Sequence, residues 1–364
     1  MRGHSLDRPF LAAGACALGG AIATVAGGIV DPAGFFPAWL AAFVFWLGLP
    51  LGAAALLMAQ EMTGGAWMVI AQAPLRAAAG TMPLFVLAFL PVLAGLHTLY
   101  PWTRPEPAAL LANRWYLNLG FFGIRAALYL VVWNFFAFLQ WSGGRAAWIN
   151  GIGLILFGYT VTFAAIDWIM SIEPDWFSTI YGMMVGAGQF VASLSVVLLV
   201  ILARRRPPAM DEAWFRRHLA MPVTLLLAVD IFWAYTAYSQ WLIIWEENLH
   251  AEIPWYLERL RGGWRGLLAA IVVLHLAVPL LTLVWTPAKK MPRLVAAVAV
   301  AVLAGELLQV WWLVLPRFGA ALPWIAPAAA LALGGLWALL FLWQLGRQER
   351  RAPGAAAALE GARP

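Results

Sequence analysis

The sequence predicts an all-α, polytopic membrane protein of about ten transmembrane helices. Three observations lead there. Of 364 residues, 63% are hydrophobic and only 11% are charged, about half the charge of an ordinary soluble domain. The apolar residues come in long runs, several beyond the roughly 18 residues that suggest a bilayer span. No stretch shows the alternating ten-residue pattern of a membrane barrel. A lone segment in lipid must satisfy its own backbone hydrogen bonds, so each run is read as a helix.

The runs place spans at about 10–30, 36–60, 81–99, 119–139, 148–168, 178–203, 219–244, 266–286, 291–315 and 323–345. The first, LAAGACALGGAIATVAGGIV, is long and has more spans after it, so it reads as a helix and not as a cleaved signal peptide. The chain thus divides into an N-terminal segment (1–9), a membrane domain (10–345) and an Ala/Gly-rich tail (346–364) that reads as disordered. Lys and Arg gather on the side of the two termini and are much sparser on the other. The positive-inside rule then predicts that both termini are cytoplasmic. RRRPP, from Arg204 to Pro208, reads as a cytoplasmic loop marker, and no nucleic-acid partner is expected. The opposite side collects Asp31, Glu106, Glu173, Asp175, Glu246, Glu247, Glu252 and Glu258, together with Trp102, Trp176, Trp245, Trp255 and Trp264.

The single cysteine, Cys16, leaves no route to an intrachain disulfide, a Cys-ligated iron–sulfur cluster, a Cys-ligated zinc or a C-x-x-C-H haem attachment. A bis-histidine haem needs two facing histidines. His97 and His275 sit at different expected depths, and His4, His218 and His250 fall in terminal or loop regions. No Gly-rich loop precedes a G-K-[ST], so an ATPase has no support. The chain is expected to bind no cofactor or metal of its own.

Polar residues at membrane depth carry the functional signal. Asp230 lies near the middle of span seven and His275 near the middle of span eight. Glu306 lies in span nine, Asp167 at the end of span five, and Glu61 at the terminal-side end of span two. Charges at such depth cost several kcal/mol unless they are paired, neutral or wet, and they usually face the bundle interior. Tyr235 and Tyr238 flank the stripe of Asp230. Carboxylic acids, imidazole and phenols can relay protons over short hydrogen-bonded steps, so Glu61, Asp167, Asp230, Tyr235, Tyr238, His275 and Glu306 form a candidate proton path. The competing reading is a structural hydrogen bond between spans, with Arg125 of span four as a charge partner for Asp230.

The most unusual loop is DWIMSIEPDWFSTIYG, from Asp167 to Gly182. It forms a tight connection between spans five and six, where Pro174 limits helix continuation and Ser178 offers an N-cap. Glu173 and Asp175 there suit interfacial capping and solvation, a docking surface, or the mouth of a polar path.

This string resembles the signature of the NrfD-like membrane subunits of bacterial alternative complex III, the ActF type within the polysulfide reductase NrfD family. YPWTRPE (Tyr100–Glu106), YLNLGFFGIRAALYLVVW (Tyr116–Trp133), AYSQWLIIW (Ala237–Trp245), LHLAVPLL and WWLVLP (Trp311–Pro316) resemble further stretches in order. The resemblance spans roughly residues 45–345. IIWEENLHAEIPWYLERL departs from the family pattern, and Gln309 stands near a place where the family often has Asp. The resemblance implies ten spans around two four-helix bundles in a bacterial inner membrane. It implies a quinol:cytochrome c or quinol:oxidase oxidoreductase complex in which this chain holds no redox centre and serves scaffolding or proton conduction. Quinol, c-type haems and iron–sulfur clusters would then be expected in partners: an ActC-like membrane paralogue, an iron–sulfur subunit, multihaem and monohaem cytochromes c, and a terminal oxidase, with membrane lipids around them. Two alternatives stand beside it: a quinol-binding subunit using His97 and Asp167, and a secondary transporter built on Asp230, against which no paired Gly/Pro-broken half-helices are evident.

Overall fold

A computed structural model describes residues 4–64, 68–105, 113–204, 211–248, 250–319 and 324–351. Glu106, most of RRRPP and the tail after Arg351 lie outside the described residues. Those described form helices, turns and short connections, with no strand among them. The long helices are α1 (His4–Val30), α2 (Pro32–Thr63), α5 (Leu119–Ser142), α6 (Ala147–Trp168), α7 (Tyr181–Ala203), α8 (Glu212–Glu247), α10 (Gly263–Leu283), α11 (Pro292–Val314) and α12 (Ile325–Arg351). Each is long and apolar enough to cross a membrane. The bent pair α3 (Gln72–Ala79) and α4 (Leu84–Ala94) passes the same length and hydropathy test only when taken together, as a broken span or a re-entrant loop. A short helix, α9 (Ile253–Arg259), lies between α8 and α10. The protein is an all-α, polytopic membrane protein.

Packing follows from which faces have no wet side. Helix α2 is buried along nearly its whole length and packs on α3, α6, α7 and α12. With α3/α4, α5 and α6 it forms one four-helix group. Helices α7, α8, α10 and α11 form the second, and α2 against α7 joins the two. Helix α1 runs antiparallel to α12, so the start of α1 and the end of α12 lie at one end, the terminal end. Side-chain caps close several helix starts: Asp31 accepts from Gly34 N at 2.9 Å and Asn118 from Phe121 N at 2.9 Å, each satisfying an orphan amide.

Three expectations change. Span three is not one helix over 81–99. It bends by 42° between α3 and α4, because Pro83 cannot continue the ladder. Gln344 of α12 donates to Gly80 O at 3.0 Å, so one carbonyl at the break is satisfied from a neighbouring helix, and Trp337 of α12 donates to the Thr81 hydroxyl, which itself donates to Ala78 O. Such rescue is what makes a break tolerable at membrane depth. Ser178 does not cap span six, which begins at Tyr181 without a side-chain cap. The third change is in α10, which widens into a π-helical turn over Val272–Ala277. In a regular helix the Pro279 ring would strike the carbonyl of His275. The wider turn, closed by Val278 N to Val273 O, removes that clash and re-aims His275.

Candidate functional site

The π turn of α10 points His275 into the second four-helix group, between Asp230 on α8 and Glu306 on α11. His275 and Asp230 are fully buried, and Glu306 is nearly so. His275 Nε2 lies 3.1 Å from Glu306 Oε2, a hydrogen bond. His275 Nδ1 lies 2.7 Å from Asp230 Oδ1. That second contact is close but its geometry does not make a hydrogen bond, so Nδ1 and both Asp230 oxygens keep open hydrogen-bonding capacity. Trp233, one turn from Asp230, stacks on the imidazole with ring centroids 3.8 Å apart. The site needs close backbones. A Cβ at Gly305 would sit 2.9 Å from His275 Cβ, and a Cβ at Gly188 of α7 would overlap the Glu306 carboxylate.

This arrangement brings together three of the residues expected to form a path. An imidazole can take a proton on one nitrogen and release one from the other. Carboxyl groups on both sides give it a partner in each direction. Among the described residues no group of three or more His, Cys, Asp and Glu side chains is arranged to hold a metal ion.

The other expected residues lie elsewhere. Asp167 is taken by Arg125, which donates Nε to Oδ2 and Nη2 to Oδ1, both at 2.8 Å, while Tyr129 donates to Oδ2 at 2.8 Å. Arg125 is therefore the partner of Asp167 and not of Asp230. Tyr235 and Tyr238 are 62% and 58% exposed and neither touches the site; Tyr238 lies at the lipid edge of the neighbouring cavity. At about 100° per residue, Tyr235 stands about 140° round α8 from Asp230. Glu61 sits at the terminal end, accepting from Arg145 N at 3.0 Å and Asn150 Nδ2 at 2.9 Å. His97 lies in the single helical turn Leu96–Leu99 near Thr103 Oγ1, 3.1 Å away, at the opposite end.

The loop DWIMSIEPDW is a junction between the two groups. Trp168 packs against Phe43, Phe89 and Trp133. Trp102 donates to Ser171 Oγ at 3.2 Å. Glu173 pairs with Arg259 of α9, Nη2 to Oε2 at 2.5 Å, and Trp176 stacks on Trp255 at 4.2 Å. Glu173 is thus a half-buried ion-pair partner and not a solvated cap, whereas Asp175 is exposed. Arg259 is 1% exposed and lies 3.7 Å above the Trp255 ring. Sequence reading missed Arg259 because it falls in a stretch that reads as loop.

A cavity of about 350 Å³ opens beside the site between α8, α10 and α11. Trp233, Ala237, Gln240, Tyr256 and Gln309 line it, and the exposed Tyr238 and Val272 flank its lipid side. Gln240 Nε2 donates to Tyr256 Oη at 3.1 Å. Burial pushes the Tyr256 phenol up to about 12, against the Gln240 hydrogen bond and the Arg259 charge, which pull it down; it is neutral at physiological pH. At the edge of the first group, burial and then the Asp167 charge likewise raise Tyr116 and Tyr100.

The chain matches no protein-family model and no curated protein.

Proposed function

We propose that this chain is a non-redox membrane subunit of a quinol-oxidising respiratory complex of the alternative complex III kind, and that it conducts protons through Asp230, His275 and Glu306. The observation that carries the conduction is the mutual contact of three buried titratable groups from three different helices. The complex-level reading rests on the DWIMSIEPDW resemblance. In it, iron–sulfur clusters and c-type haems belong to partner subunits, and both termini face the cytoplasm of a bacterial inner membrane, in line with the basic residues at the terminal end.

The local step is a handover. A protonated Glu306 gives its proton to His275 Nε2, and a small turn of the imidazole aims Nδ1–H at Asp230 Oδ1, 2.7 Å away, so that this proton passes to the Asp230 carboxylate. Rotation or tautomer exchange of the imidazole resets the site. Toward the terminal end, Ser193 of α7 has a buried hydroxyl without a protein partner and Glu61 lies at the mouth. Toward the other end the cavity with Gln240 and Tyr256 continues the polar groups. Asp167 and the two exposed tyrosines take no part.

The test is proton release and uptake per electron in proteoliposomes of the assembled complex. Asp230→Asn keeps the shape and removes the exchangeable carboxylic proton. Proton yield should fall while quinol oxidation persists. A fully assembled variant with wild-type yield and rate would return Asp230 to a structural role.

A second reading, a quinol-binding subunit, is favoured by the cavity itself. It is aromatic-walled, flanked by lipid-facing residues, and lined by Trp233, which stacks on His275. In that reading the imidazole and its acids receive the protons of an oxidised quinol.

A further inference from the structure

At the terminal end, α5 and α12 hold a cation–aromatic rack that the proton path does not use. The Arg347 guanidinium lies 4.7 Å from the centre of the Trp343 ring and 5.2 Å from that of Trp141; Arg351 lies 4.2 Å from Trp141. Two guanidiniums therefore share one indole. The rack is fixed from below. Trp141 Nε1 donates to Gln344 Oε1 at 2.9 Å, Gln344 Nε2 donates to Gly80 O at 3.0 Å, and Gln348 Nε2 donates to Trp141 O at 3.2 Å. Neither arginine has a carboxylate within ion-pair distance among the described residues. Glu349 is paired with Arg204, and Glu61, the acid on the neighbouring α2, is beside Arg76.

Next to the rack is a cavity of about 260 Å³ reaching toward the bend in span three. Pro83, Asn134, Phe138, Trp141, Trp343 and Arg347 line it. Phe138 and Trp343 are 57% and 48% exposed on the lipid side. The site thus has a cationic rim at the end of two spans and an apolar floor running along them.

We propose that this groove binds one anionic phospholipid, with its phosphate on Arg347 and Arg351 and its glycerol and upper acyl chain along Phe138 and Pro83. Two like charges on one ring repel each other, and an anion between them relieves that repulsion. The apolar floor selects a lipid over a soluble anion. Guanidinium forks suit phosphate oxygens bidentately, and basic pockets between spans at this kind of interface recognise anionic headgroups. The indole faces hold the guanidiniums in place, so little side-chain freedom is lost on binding.

Native mass spectrometry of the purified wild-type chain, titrated with phosphatidylglycerol or phosphatidylethanolamine, tests this directly. Preferential retention of phosphatidylglycerol is expected; equal retention of both overturns the proposal. Arg347→Gln with Arg351→Gln should lower that retention by roughly thirtyfold, from about 1 kcal/mol for each of the two basic residues near an anionic surface. The Arg347→Lys, Arg351→Lys variant, which keeps both charges, should retain more than the Gln variant. Unchanged retention in the Gln variant counts against the site. Inorganic phosphate displacing phosphatidylglycerol from the wild-type chain would assign the arginines to a soluble anion and overturn the lipid assignment. The wild-type titration decides the matter even if a variant does not fold.

Discussion

The imidazole of His275 lies face to face with the indole of Trp233, ring centroids 3.8 Å apart and planes 27° from parallel. Stacking fixes the ring plane, and with it the direction of both nitrogens toward Asp230 and Glu306. It also favours a passing positive charge on the ring, by roughly 0.5–2 kcal/mol for a cation on an aromatic face. Trp233→Leu should therefore slow proton transfer by roughly two- to thirtyfold, whereas Trp233→Phe should keep most of it. Proteoliposome acidification rates, normalised to assembled complex, compare the two.

Backbone closeness gives a sharper test. A methyl at Gly188 would overlap the Glu306 carboxylate, whereas a methyl at Gly186, on the same helix, would meet only Val161 Cγ1 at an ordinary 3.6 Å. Gly188→Ala should displace Glu306 from His275 and lower proton yield, with about 1–3 kcal/mol lost to overpacking. Gly186→Ala should behave as wild type. Equal proton yields in the two variants would argue that the Glu306 position is unimportant.

The two ion pairs outside the path should behave as structural joints. Arg125 and Asp167 are buried together, and Asp167→Ala would strand a guanidinium. Removing one partner of a buried pair typically costs about 3–5 kcal/mol. Glu173→Ala, which leaves Arg259 at 1% exposure without its acid, should also be clearly destabilising, though less, because Glu173 is partly exposed. Asp175→Ala should change stability by no more than about 0.5 kcal/mol, as exposed substitutions usually do. Thermal unfolding of the detergent-solubilised protein would rank them. A Glu173 variant as stable as the Asp175 variant would contradict the joint.

Depth made Asp230, His275 and Glu306 legible, because an ionisable group in a long apolar run is costly wherever it lands. Their contact was not legible, since three separate spans supply it and only packing sets their rotation. Tyr235 could have been set aside from helical period alone, which puts Trp233 and Gln240 nearer the face of Asp230. The break in span three had a local signal, GTMP at Gly80–Pro83, overridden by the length of the apolar run. The π turn had a weaker one in Pro279. Arg125 reads from sequence as a partner for Asp230, yet it pairs with Asp167, because sequence carries no distance between spans.

Sidedness is open to a chemical check. Asp175 lies in the loop before α7, and Arg216 lies in the first turns of α8, so one crossing separates them. Cysteine placed at Asp175 should react with an impermeant maleimide from the periplasmic side, and cysteine at Arg216 only after permeabilisation. Labelling of both from one side would contradict the ten-crossing arrangement, and reversed labelling would contradict cytoplasmic termini.

The cavity beside the site separates the two functional readings. Ala237 lines it on α8, away from the three titratable groups. Ala237→Phe would fill much of the space without touching Asp230, His275 or Glu306. If a quinol head-group must enter there, quinol oxidation by the assembled complex should fall by an order of magnitude or more, since a blocked pocket removes transition-state binding outright. If the cavity only leads protons to or from Asp230, electron transfer should persist while proton yield falls. We expect the second pattern, because the path needs only small polar groups to connect Asp230 with Gln240 and Tyr256. Parallel measurement of quinol oxidation and proton release in one variant decides between them, and loss of both together would favour quinol binding at this chain.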